Sequence, residues 1–409
     1  MKKKALILGL GVSGSAAKDF LVKMGYRVFI VDNKNDKHLS IDLVKSVDLA
    51  VISPGVPKEN SFYKLICKYA KNFVGEAELG LLNIFKEDNK TKIIAVTGTN
   101  GKTTLCLFLE HLLSAKALGN VGIPFTRYLE MQERNKTIIA ELSSFQIETL
   151  KAKVIDTAII TNISPDHLDR YKDFDEYARS KLFIAACIKK GGKLILPKEI
   201  FSKYKTETFQ NDIKVIFIED LMKIYTCEDV ENPIGIEAFI IAKEIAGDAF
   251  LNEVFLEKLK TFKKPPHRLE IFANISGISF VDDSKATNIE STLFAAKSIL
   301  AKKHIIMGGS DKGLDFNQLL SLTKEGVVAV YAIGDCAKKI QLALQEKMPV
   351  TLYRNLEDAT LAAFKLAKSN DVVLLSPGCP SYDHFDNFEH RGRVFKQCVY
   401  KIQKEEFFR

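Results

Sequence analysis

The motif Val-Thr-Gly-Thr-Asn-Gly-Lys-Thr-Thr at residues 96–104 has the residue types of a phosphate-binding loop. Gly98 and Gly101 let backbone N–H groups turn inwards around phosphate oxygens. Lys102 can reach the β- and γ-phosphates of a nucleotide, and the hydroxyl of Thr103 can bind Mg²⁺. The residues predicted to contact a nucleoside triphosphate here are Gly98, Thr99, Asn100, Gly101, Lys102, Thr103 and Thr104.

This motif departs from the strict P-loop pattern, in which the first glycine would stand where this chain has Val96. It directly follows an apolar run at residues 93–97 that predicts a buried strand, and a helix is predicted over residues 103–114. A helix N-terminus at this point would add partial positive charge for an anion. The alternative is a glycine- and threonine-rich turn before a helix. The strand–turn–helix context favours nucleotide binding.

Two side chains that could bind a metal ion follow in the chain, and a lysine comes after them. Glu141 lies near the end of an apolar run at residues 137–142, and a carboxylate at a strand end beside a P-loop is placed to bind Mg²⁺. Without the P-loop, it would be interpreted as a solvated glutamate. His167 follows a second apolar run, 154–161; a single histidine is usually structural, but a place at the carboxyl edge of a sheet modestly favours a metal. Lys181, on the next predicted helix, would by itself be interpreted as part of a solvated face.

The segment Gly-Leu-Gly-Val-Ser-Gly at residues 9–14 follows a predicted strand, and Asp32 comes 21 residues after Gly11, at the end of the next strand. This pattern matches the dinucleotide fingerprint, with a tight turn, a close approach to a diphosphate and an acid for a ribose hydroxyl. Taken alone, it predicts an NAD-dependent enzyme. The geometry requires only a diphosphate attached to a ribose, however, which a UDP-sugar also supplies.

Polar loops follow three further predicted strands near the C-terminus. Asp283, Lys285 and Thr287 alternate along the chain, so in an extended loop all three could contact one ligand. The segments 307–313 and 375–383 offer glycines, a lysine and hydroxyl groups. Ligands of open α/β sheets bind outside the carboxyl ends of the strands, and these groups suit an anionic small molecule. The alternative for each loop is a plain turn.

Short β-branched runs alternate with longer amphipathic segments along all 409 residues, which predicts an α/β fold with parallel sheets. Helices are predicted at 174–190 and 234–246. A charged stretch at 86–92 and the two prolines within 261–268 are candidate linkers. We therefore predict three domains, at residues 1–88, 89–264 and 265–409. The predicted strands are 5–8, 28–31, 49–52, 93–97, 137–142, 154–161, 193–197, 214–218, 278–281, 304–307, 327–333 and 372–375.

Composition excludes several classes of protein. Apolar residues make up 46% of the chain, which rules out a disordered or collagen-like protein. The formal charge of +8 suits phosphate ligands but is too small and too scattered for nucleic-acid binding. Seven dispersed cysteines indicate reduced thiols in a cytoplasmic protein, and the absence of an 18-residue apolar stretch predicts no membrane span.

The motifs follow one another in the order T-G-T-N-G-K-T-T, E-L-S-S-F-Q, T-N-I-S-P-D-H-L-D-R-Y, P-P-H-R-L-E, D-D-S-K-A-T-N and L-L-S-P-G-C-P-S-Y-D. Together they resemble the Mur ligase family, over residues 9 to 392. The resemblance implies an N-terminal Rossmann-like domain for a UDP-sugar, a central P-loop ATPase-like domain with a parallel sheet, and a C-terminal Rossmann-like domain for an amino acid. The D-S-K-A-T-N element is similar to that of members that add D-glutamate.

The resemblance also implies roles for single residues. The UDP-substrate would be contacted by Gly11, Val12, Ser13, Asp32, Asn33 and Asn120. The P-loop contacts to ATP would be completed by Asn232, Arg268, Asp283 and Lys285. D-Glutamate would be bound by Thr287, Lys312, Ser381, Tyr382 and Phe388. Two Mg²⁺ ions would be held by Thr103, Glu141, His167 and a carbamylated Lys181, and the catalytic residues would be Lys102, Glu141, His167 and Lys181. The family often has His-Asn-x-x-Asn where this chain has Glu-Asn-Pro-Ile-Gly. Gly235 therefore stands in place of the second asparagine and has no side-chain amide to contact the nucleotide.

The reaction implied is ATP-driven amide formation through an acyl phosphate, joining D-glutamate to UDP-N-acetylmuramoyl-L-alanine in peptidoglycan precursor synthesis. We expect a monomer that needs ATP and two Mg²⁺ ions. One alternative is another amide ligase of the same superfamily, such as a folylpolyglutamate synthase, which would lack the N-terminal glycine motif. An NAD-dependent dehydrogenase would leave the P-loop unexplained. A non-catalytic nucleotide switch is the third alternative.

Overall fold

A computed structural model describes residues 2–32, 38–166, 170–208, 212–224, 233–247, 252–263 and 265–407. These residues form three β-sheets with helices between the strands. The chain divides into two compact units, residues 1–262 and 263–409, and the first unit contains two of the sheets. Within the described ranges, no helix is both long enough and apolar enough to cross a membrane.

The first sheet has four parallel strands in the order β2-β1-β3-β4. Its strands are β1 (Lys4–Leu8), β2 (Arg27–Val31), β3 (Leu49–Ile52) and β4 (Phe73–Gly75). Its helices are α1 (Val12–Lys23), α2 (Ile41–Ser46), α3 (Ser61–Tyr69) and α4 (Glu76–Glu87). The chain passes from β1 to β2 on one side and then returns to β3 on the other. This reversal of strand order at β1 opens a crevice at its carboxyl end, the usual place for a ligand.

The second sheet has six parallel strands in the order β10-β9-β8-β5-β7-β6. Its strands are β5 (Lys92–Thr97), β6 (Lys116–Gly119), β7 (Thr137–Glu141), β8 (Ile155–Ile160), β9 (Ile188–Leu196) and β10 (Lys214–Phe217). Its helices are α5 (Lys102–Leu113), α6 (Phe125–Tyr128), α7 (Ser144–Ile147), α8 (Phe174–Leu182), α9 (Lys198–Thr208), α10 (Ile218–Ile224), α11 (Pro233–Ala246) and α12 (Asn252–Thr261), with a 3₁₀ helix at Phe183–Cys187. Strand β5 lies between β7 and β8, so their carboxyl ends meet around the P-loop.

The third sheet, in the second unit, has the order β11-β12-β16-β13-β14-β15. Its strands are β11 (Glu270–Ile275), β12 (Ile278–Asp282), β13 (Lys303–Gly308), β14 (Val327–Ile333), β15 (Val350–Leu352) and β16 (Val372–Leu375). Its helices are α13 (Ile289–Ser298), α14 (Ala337–Leu344), α15 (Leu356–Leu366) and α16 (Phe388–Phe407), with a 3₁₀ helix at Phe316–Lys324. Strand β11 is antiparallel to β12, and the remaining neighbours are parallel.

Helices cover both faces of the second sheet, which explains its continuous apolar strands. In β5, Ile93 and Ala95 pack into one apolar cluster, whereas Ile94 and Val96 pack into another on the opposite face. All four side chains are at most 1% exposed. Successive strand residues point to opposite faces, so a strand buried on both sides needs an apolar residue at every position.

The predicted α/β class is confirmed, and most predicted strands occur within two residues of their expected bounds. The helix predicted at 174–190 is wrong beyond Leu182, because Ile188 begins a strand and pairs with Ile155. Strand β9 accordingly starts earlier than the predicted 193. The short strands β4, β6 and β15, and the antiparallel β11, were not predicted. The three sheets fall one within each predicted domain, and the division of the first unit near residue 88 stays a prediction.

Candidate active site

The P-loop between β5 and α5 is held by the loop that follows β8. The hydroxyl of Thr161 donates a 2.7 Å hydrogen bond to the carbonyl oxygen of Asn100. The N–H of Asn100 in turn donates to Oδ1 of Asn162 at 2.9 Å. Gly98 has a φ of +142°, and a Cβ atom at this position would overlap the Thr161 hydroxyl. The loop after β8 therefore fixes the shape of the P-loop.

The N-terminus of α5 has the properties of an anion site. Gly101 is its N-cap residue with a φ of +81°, a left-handed conformation that glycine adopts without strain. Among the described residues, no side chain caps this end of the helix. Its first N–H groups therefore face the space into which the P-loop turns, with the positive end of the helix dipole behind them. Thr103 is half-buried at this end, and Thr104 is buried.

Two lysines converge on one carbonyl oxygen of the P-loop. Nζ of Lys102 donates to the carbonyl oxygens of Gly98 at 2.9 Å and of Thr99 at 2.8 Å. Nζ of Lys181, on α8, donates to the Gly98 oxygen at 2.8 Å. Lys181 is 2% exposed, so the alternative of a solvated lysine is wrong. Burial, followed by the charge of Lys102, holds the pKa of Lys181 well below its usual range.

Glu141, at the end of β7, is a buried carboxylate with one oxygen unsatisfied. It is 0% exposed, which rules out the alternative of a solvated glutamate. Oε1 accepts a 2.7 Å hydrogen bond from Nδ2 of Asn120. Within the described part of the chain, Oε2 has no hydrogen-bond partner. A buried anionic oxygen without a partner is costly, so this position beside the P-loop fits a cation. The side-chain amide of Asn120 is engaged by Glu141, and its contact with the UDP-substrate stays a prediction.

The glycine motif of the first sheet forms a tight turn over the loop that follows β3. The hydroxyl of Ser53 donates to the carbonyl oxygen of Gly9 at 2.6 Å. A Cβ atom on Gly14 would overlap that carbonyl oxygen. Gly11 is the N-cap residue of α1, and Val12 after it is 79% exposed. The side of the turn that carries Val12 is therefore open to a ligand, whereas the side that faces Ser53 is packed. Ser13, at the start of α1, and Asp32, directly after β2, are half-buried.

Three predicted site residues, Asn33, His167 and Asn232, lie outside the residues that the structure describes. Their roles stay predictions. Asp166 and Arg170, the described residues on either side of position 167, follow β8 in the chain.

In the second unit, Asp283 is directed into the protein. Its carboxylate accepts hydrogen bonds from the N–H of Leu269 at 3.2 Å and the hydroxyl of Ser376 at 2.9 Å. Burial raises its pKa to about 7. The expectation of an extended loop from Asp283 to Thr287 is wrong, because the N–H of Ala286 bonds back to the carbonyl oxygen of Asp283 at 2.8 Å and closes a turn. The alternating residues thus do not line one face.

Arg268 lies between two residues in left-handed backbone conformations, His267 (φ +63°) and Leu269 (φ +47°). Such conformations are strained for residues other than glycine and persist only when their surroundings hold them. Here Nδ1 of His267 and Oδ2 of Asp282 lie 2.6 Å apart in a buried hydrogen bond. Gly392, on α16, leaves room for the imidazole, which a Cβ atom there would overlap. These contacts fix the backbone around Arg268.

Three side chains that are common metal ligands lie close together here, with their ligand atoms within 4.8 Å of one another: His267, Glu270 and Asp282. Lys396 already supplies positive charge there, because its Nζ lies 2.7 Å from Oε1 of Glu270 and 3.8 Å from Oδ2 of Asp282. The N–H of His267 also donates to Oε2 of Glu270 at 2.8 Å. The group is therefore satisfied within the protein.

The residues predicted to bind an amino acid differ widely in exposure. Nζ of Lys285 lies 3.8 Å from the ring centroid of Phe388, the first residue of α16. Ser381 is 2% exposed, whereas Tyr382 beside it is 72% exposed. Thr287 and Lys312 are half-buried. The structure brings Phe388 together with Lys285, which is a predicted ATP contact. The amino-acid contacts of Thr287, Lys312, Ser381, Tyr382 and Phe388 stay predictions.

Comparison with known proteins gives matches over the whole length of the chain. Residues 96–231 match the Mur ligase middle domain, and residues 267–379 match the glutamate ligase domain of Mur ligases. The UDP-N-acetylmuramoylalanine–D-glutamate ligase of Protochlamydia amoebophila is 38% identical over 97% of this chain and 98% of its own. The enzyme of the same name from Fusobacterium nucleatum is 35% identical over 98% of this chain and 99% of its own. The chain belongs to the Mur ligase family.

Solved structures of the Mur ligase family share the fold. The MurF ligase of Thermotoga maritima, crystallised in complex with ADP, aligns with 89% of this chain and 97% of its own at a TM-score of 0.58. Its sequence identity is 14%, so this likeness concerns the fold alone. The resemblance seen in the sequence motifs is thus confirmed at the level of the family and the α/β architecture.

Several residues that shape this Mur ligase site were not predicted from the sequence. Thr161 and Asn162 hold the P-loop, whereas the sequence of their segment indicated only a metal ligand, His167. Arg391 is 0% exposed and donates to the carbonyl oxygens of Ser284 at 2.9 Å and Cys379 at 3.0 Å, so it joins the loops that follow β12 and β16. Burial lowers its pKa to about 10. The sequence gives little sign of this role, because an arginine in an amphipathic helix is normally expected on the solvent-exposed face.

Proposed function

We propose that this Mur ligase family member joins D-glutamate to UDP-N-acetylmuramoyl-L-alanine and converts ATP to ADP and phosphate, a step of peptidoglycan precursor synthesis. The observation that carries the proposal is the buried Glu141 carboxylate, with one oxygen unsatisfied, at the strand end next to the P-loop. This pairing of an anion-binding loop with a cation-binding carboxylate suits a magnesium–triphosphate complex. The near full-length relatives named for this reaction support the choice of substrates.

In the proposed reaction, the carboxylate of the UDP-substrate attacks the γ-phosphorus, ADP leaves and an acyl phosphate forms. The amine of D-glutamate then attacks the acyl carbon, phosphate leaves and the amine loses a proton to solvent. Lys102 and the N-terminus of α5 neutralise phosphate charge that would otherwise repel the incoming carboxylate. Thr103, Glu141, His167 and Lys181 would hold Mg²⁺, which when bound supplies further neutralisation of that charge.

Carbamylation of Lys181 is part of this proposal. An ammonium group beside a magnesium site would repel the metal, whereas a carbamate presents carboxylate-like oxygens. The depressed pKa of Lys181 supports the modification, because a neutral amine can attack carbon dioxide. In that step the nitrogen–carbon bond forms, and one proton passes to solvent. The buried Nζ lies 2.8 Å from the Gly98 carbonyl oxygen, so the modified group would stay beside the P-loop.

The three sheets would divide the substrates among them. The first would bind the UDP moiety through the turn at residues 9–14 and Asp32. The second would bind ATP. The other predicted ATP contacts, Arg268, Asp283 and Lys285, belong to the second unit. The third would bind D-glutamate through Thr287, Lys312, Ser381, Tyr382 and Phe388. We place the reaction in the cytoplasm, where ATP is made.

A phosphate-release assay tests the proposal directly. We expect release only when ATP, Mg²⁺, UDP-N-acetylmuramoyl-L-alanine and D-glutamate are all present, with each omitted in turn as a control. Release that is indifferent to any amino acid would indicate a nucleotide switch. Release that needs a different amino acid or acceptor would indicate another ligase of the superfamily. A nicotinamide-linked absorbance change would indicate a dehydrogenase.

A further inference from the structure

Arg170 joins elements of the first and second sheets within the first unit. Its guanidinium carbon lies 3.6 Å from the ring centroid of Phe145, on α7 of the second sheet. Its two terminal nitrogens donate to the carbonyl oxygens of Pro54 at 3.1 Å and Val56 at 3.2 Å, in the loop after β3 of the first sheet. A planar guanidinium can stack and donate two parallel hydrogen bonds at once, which an ammonium group cannot do.

The loop that Arg170 holds lies directly beneath the glycine turn of the first sheet. The Ser53 hydroxyl bonds to the carbonyl oxygen of Gly9 at 2.6 Å. A Cβ atom on Gly9 would lie 3.0 Å from Cγ2 of Val56, so the two residues are in close contact. The position of the loop thus determines the position of the turn proposed to bind the uridine diphosphate.

On its other side, Arg170 is connected to the P-loop. The next residue, Tyr171, is buried and stacks against Phe145 with ring centroids 6.0 Å apart. Tyr171 also packs against Tyr177, at 5.3 Å between centroids. The hydroxyl of Tyr177 lies 3.1 Å from Oγ1 of Thr99, within the P-loop. A continuous series of contacts therefore runs from the P-loop through the aromatic rings to Arg170 and the turn at Gly9.

We propose that Arg170 is a positioning residue that sets the distance between the glycine turn of the first sheet and the P-loop of the second. The inference rests on the proposed function, because only a reaction between ligands of both loops needs that distance. The attacking carboxylate must approach the γ-phosphorus to about 3–3.5 Å, and a misplacement of about 1 Å can cost on the order of 100-fold in rate. Arg170 does not itself touch the reacting atoms in this role.

The test compares Arg170→Ala and Arg170→Lys with Arg127→Ala in steady-state kinetics. Arg127 is a matched control because it also links elements of the two sheets, through an exposed ion pair at 2.9 Å between α6 and Asp19 of α1 rather than through either loop. We expect Arg170→Ala to lower kcat by about 10- to 100-fold, from the same positioning argument, with the KM for ATP nearly unchanged. Arg170→Lys should be impaired similarly, because one ammonium cannot hold both carbonyls. Added guanidinium ion should partly restore Arg170→Ala but not Arg170→Lys.

Thermal unfolding of all three variants separates positioning from folding. If Arg170→Ala fails to fold, the kinetics of Arg170→Lys decide the matter. Wild-type kinetics in a folded Arg170→Lys variant would overturn the inference, as would equal effects of Arg170→Ala and Arg127→Ala. A kcat loss without guanidinium rescue and with a raised KM for ATP would also contradict it, since that pattern indicates a disturbed P-loop. If wild-type protein shows no release that depends on the amino acid, the proposed function fails instead.

Discussion

Lys102 and Lys181 donate hydrogen bonds to the same carbonyl oxygen, that of Gly98, at 2.9 and 2.8 Å. Two ammonium groups so close together in a buried place repel each other, and the more buried one gives up its proton most easily. This relationship places a lysine with a lowered pKa beside the P-loop. The pKa of Lys181 thus depends in part on the charge of Lys102, which lies far from it in the sequence.

Replacement of Lys102 by alanine should reduce turnover strongly. The ammonium group would neutralise phosphate charge, and loss of a comparable electrostatic group costs about 2.7–4 kcal/mol, or roughly 100- to 1000-fold in rate. The measurement is kcat from phosphate release, with Lys86→Ala as the control, because Lys86 is an exposed lysine on α4. Near-normal turnover of Lys102→Ala would refute the assigned role.

Replacement of Lys181 by alanine should impair activity, and a short carboxylate such as acetate should restore part of it. Acetate can occupy the space of the lost carbamate and present similar oxygens. The wild-type enzyme should also lose activity when carbon dioxide and bicarbonate are removed, whereas the alanine variant should not respond. Full activity of Lys181→Ala without rescue would count against the carbamate. Mass spectrometry under native conditions gives an independent measure of the modification.

Gly14→Ala and Gly11→Ala should separate the packing of the glycine turn from its ligand contacts. A Cβ atom on Gly14 would overlap the carbonyl oxygen of Gly9, so this variant should lose about 1–3 kcal/mol of unfolding free energy through overpacking. At Gly11, no described atom lies within 4 Å of such a Cβ. Gly11→Ala should therefore keep the wild-type Tm while raising the KM for the UDP-substrate. An unchanged KM would argue against a close diphosphate at this turn.

Asp283→Asn should alter how stability depends on pH. Burial raises the pKa of Asp283 from its usual value of 3.8 to about 7 in the folded protein. Between these two pH values, the folded state therefore binds more protons than the unfolded state. The stabilising contribution of the protonated carboxyl is thus complete below pH 3.8 and is lost as the pH rises through 7. By linkage, it amounts to at most about 4 kcal/mol.

The asparagine variant keeps an acceptor for Leu269 and should lose this fall in unfolding free energy between about pH 4 and 7. Chemical denaturation across that range measures the effect. Asp315→Asn, at the exposed N-cap of the 3₁₀ helix Phe316–Lys324, is the control. Parallel pH profiles for wild type and Asp283→Asn would show that the carboxyl titrates normally.

Gly392→Ala should be destabilising, although alanine normally favours a helix by about 1 kcal/mol over glycine. The added methyl group would overlap the imidazole of His267 and push it away from Asp282. Because His267 precedes Arg268, we also expect a higher KM for ATP. The double variant His267→Ala/Gly392→Ala removes the overlap. Its loss of Tm relative to wild type should therefore be smaller than the sum of the losses in the two single variants. Simple additivity would contradict the proposed contact.

Local patterns in the sequence were sufficient for the α/β class, most strands, the P-loop and the family. Each of these depends on neighbouring residues: residues 93–96 of β5 are all apolar because both faces of the strand are covered, and the P-loop needs glycines next to a helix start. The end of α8 was misplaced because an apolar run such as Phe183–Ile188 suits a helix, a 3₁₀ turn or a strand equally well.

Contacts between distant residues were decided by the tertiary structure alone. Lys102 and Lys181 share one carbonyl oxygen, and Arg170 donates hydrogen bonds to the loop after β3, although these residues are far apart in the chain. The burial that leaves one oxygen of Glu141 unsatisfied also depends on distant segments. Burial and electrostatic coupling depend on what surrounds a side chain in three dimensions. A sequence shows which groups are available for chemistry, and only the folded chain determines which of them lose water and meet.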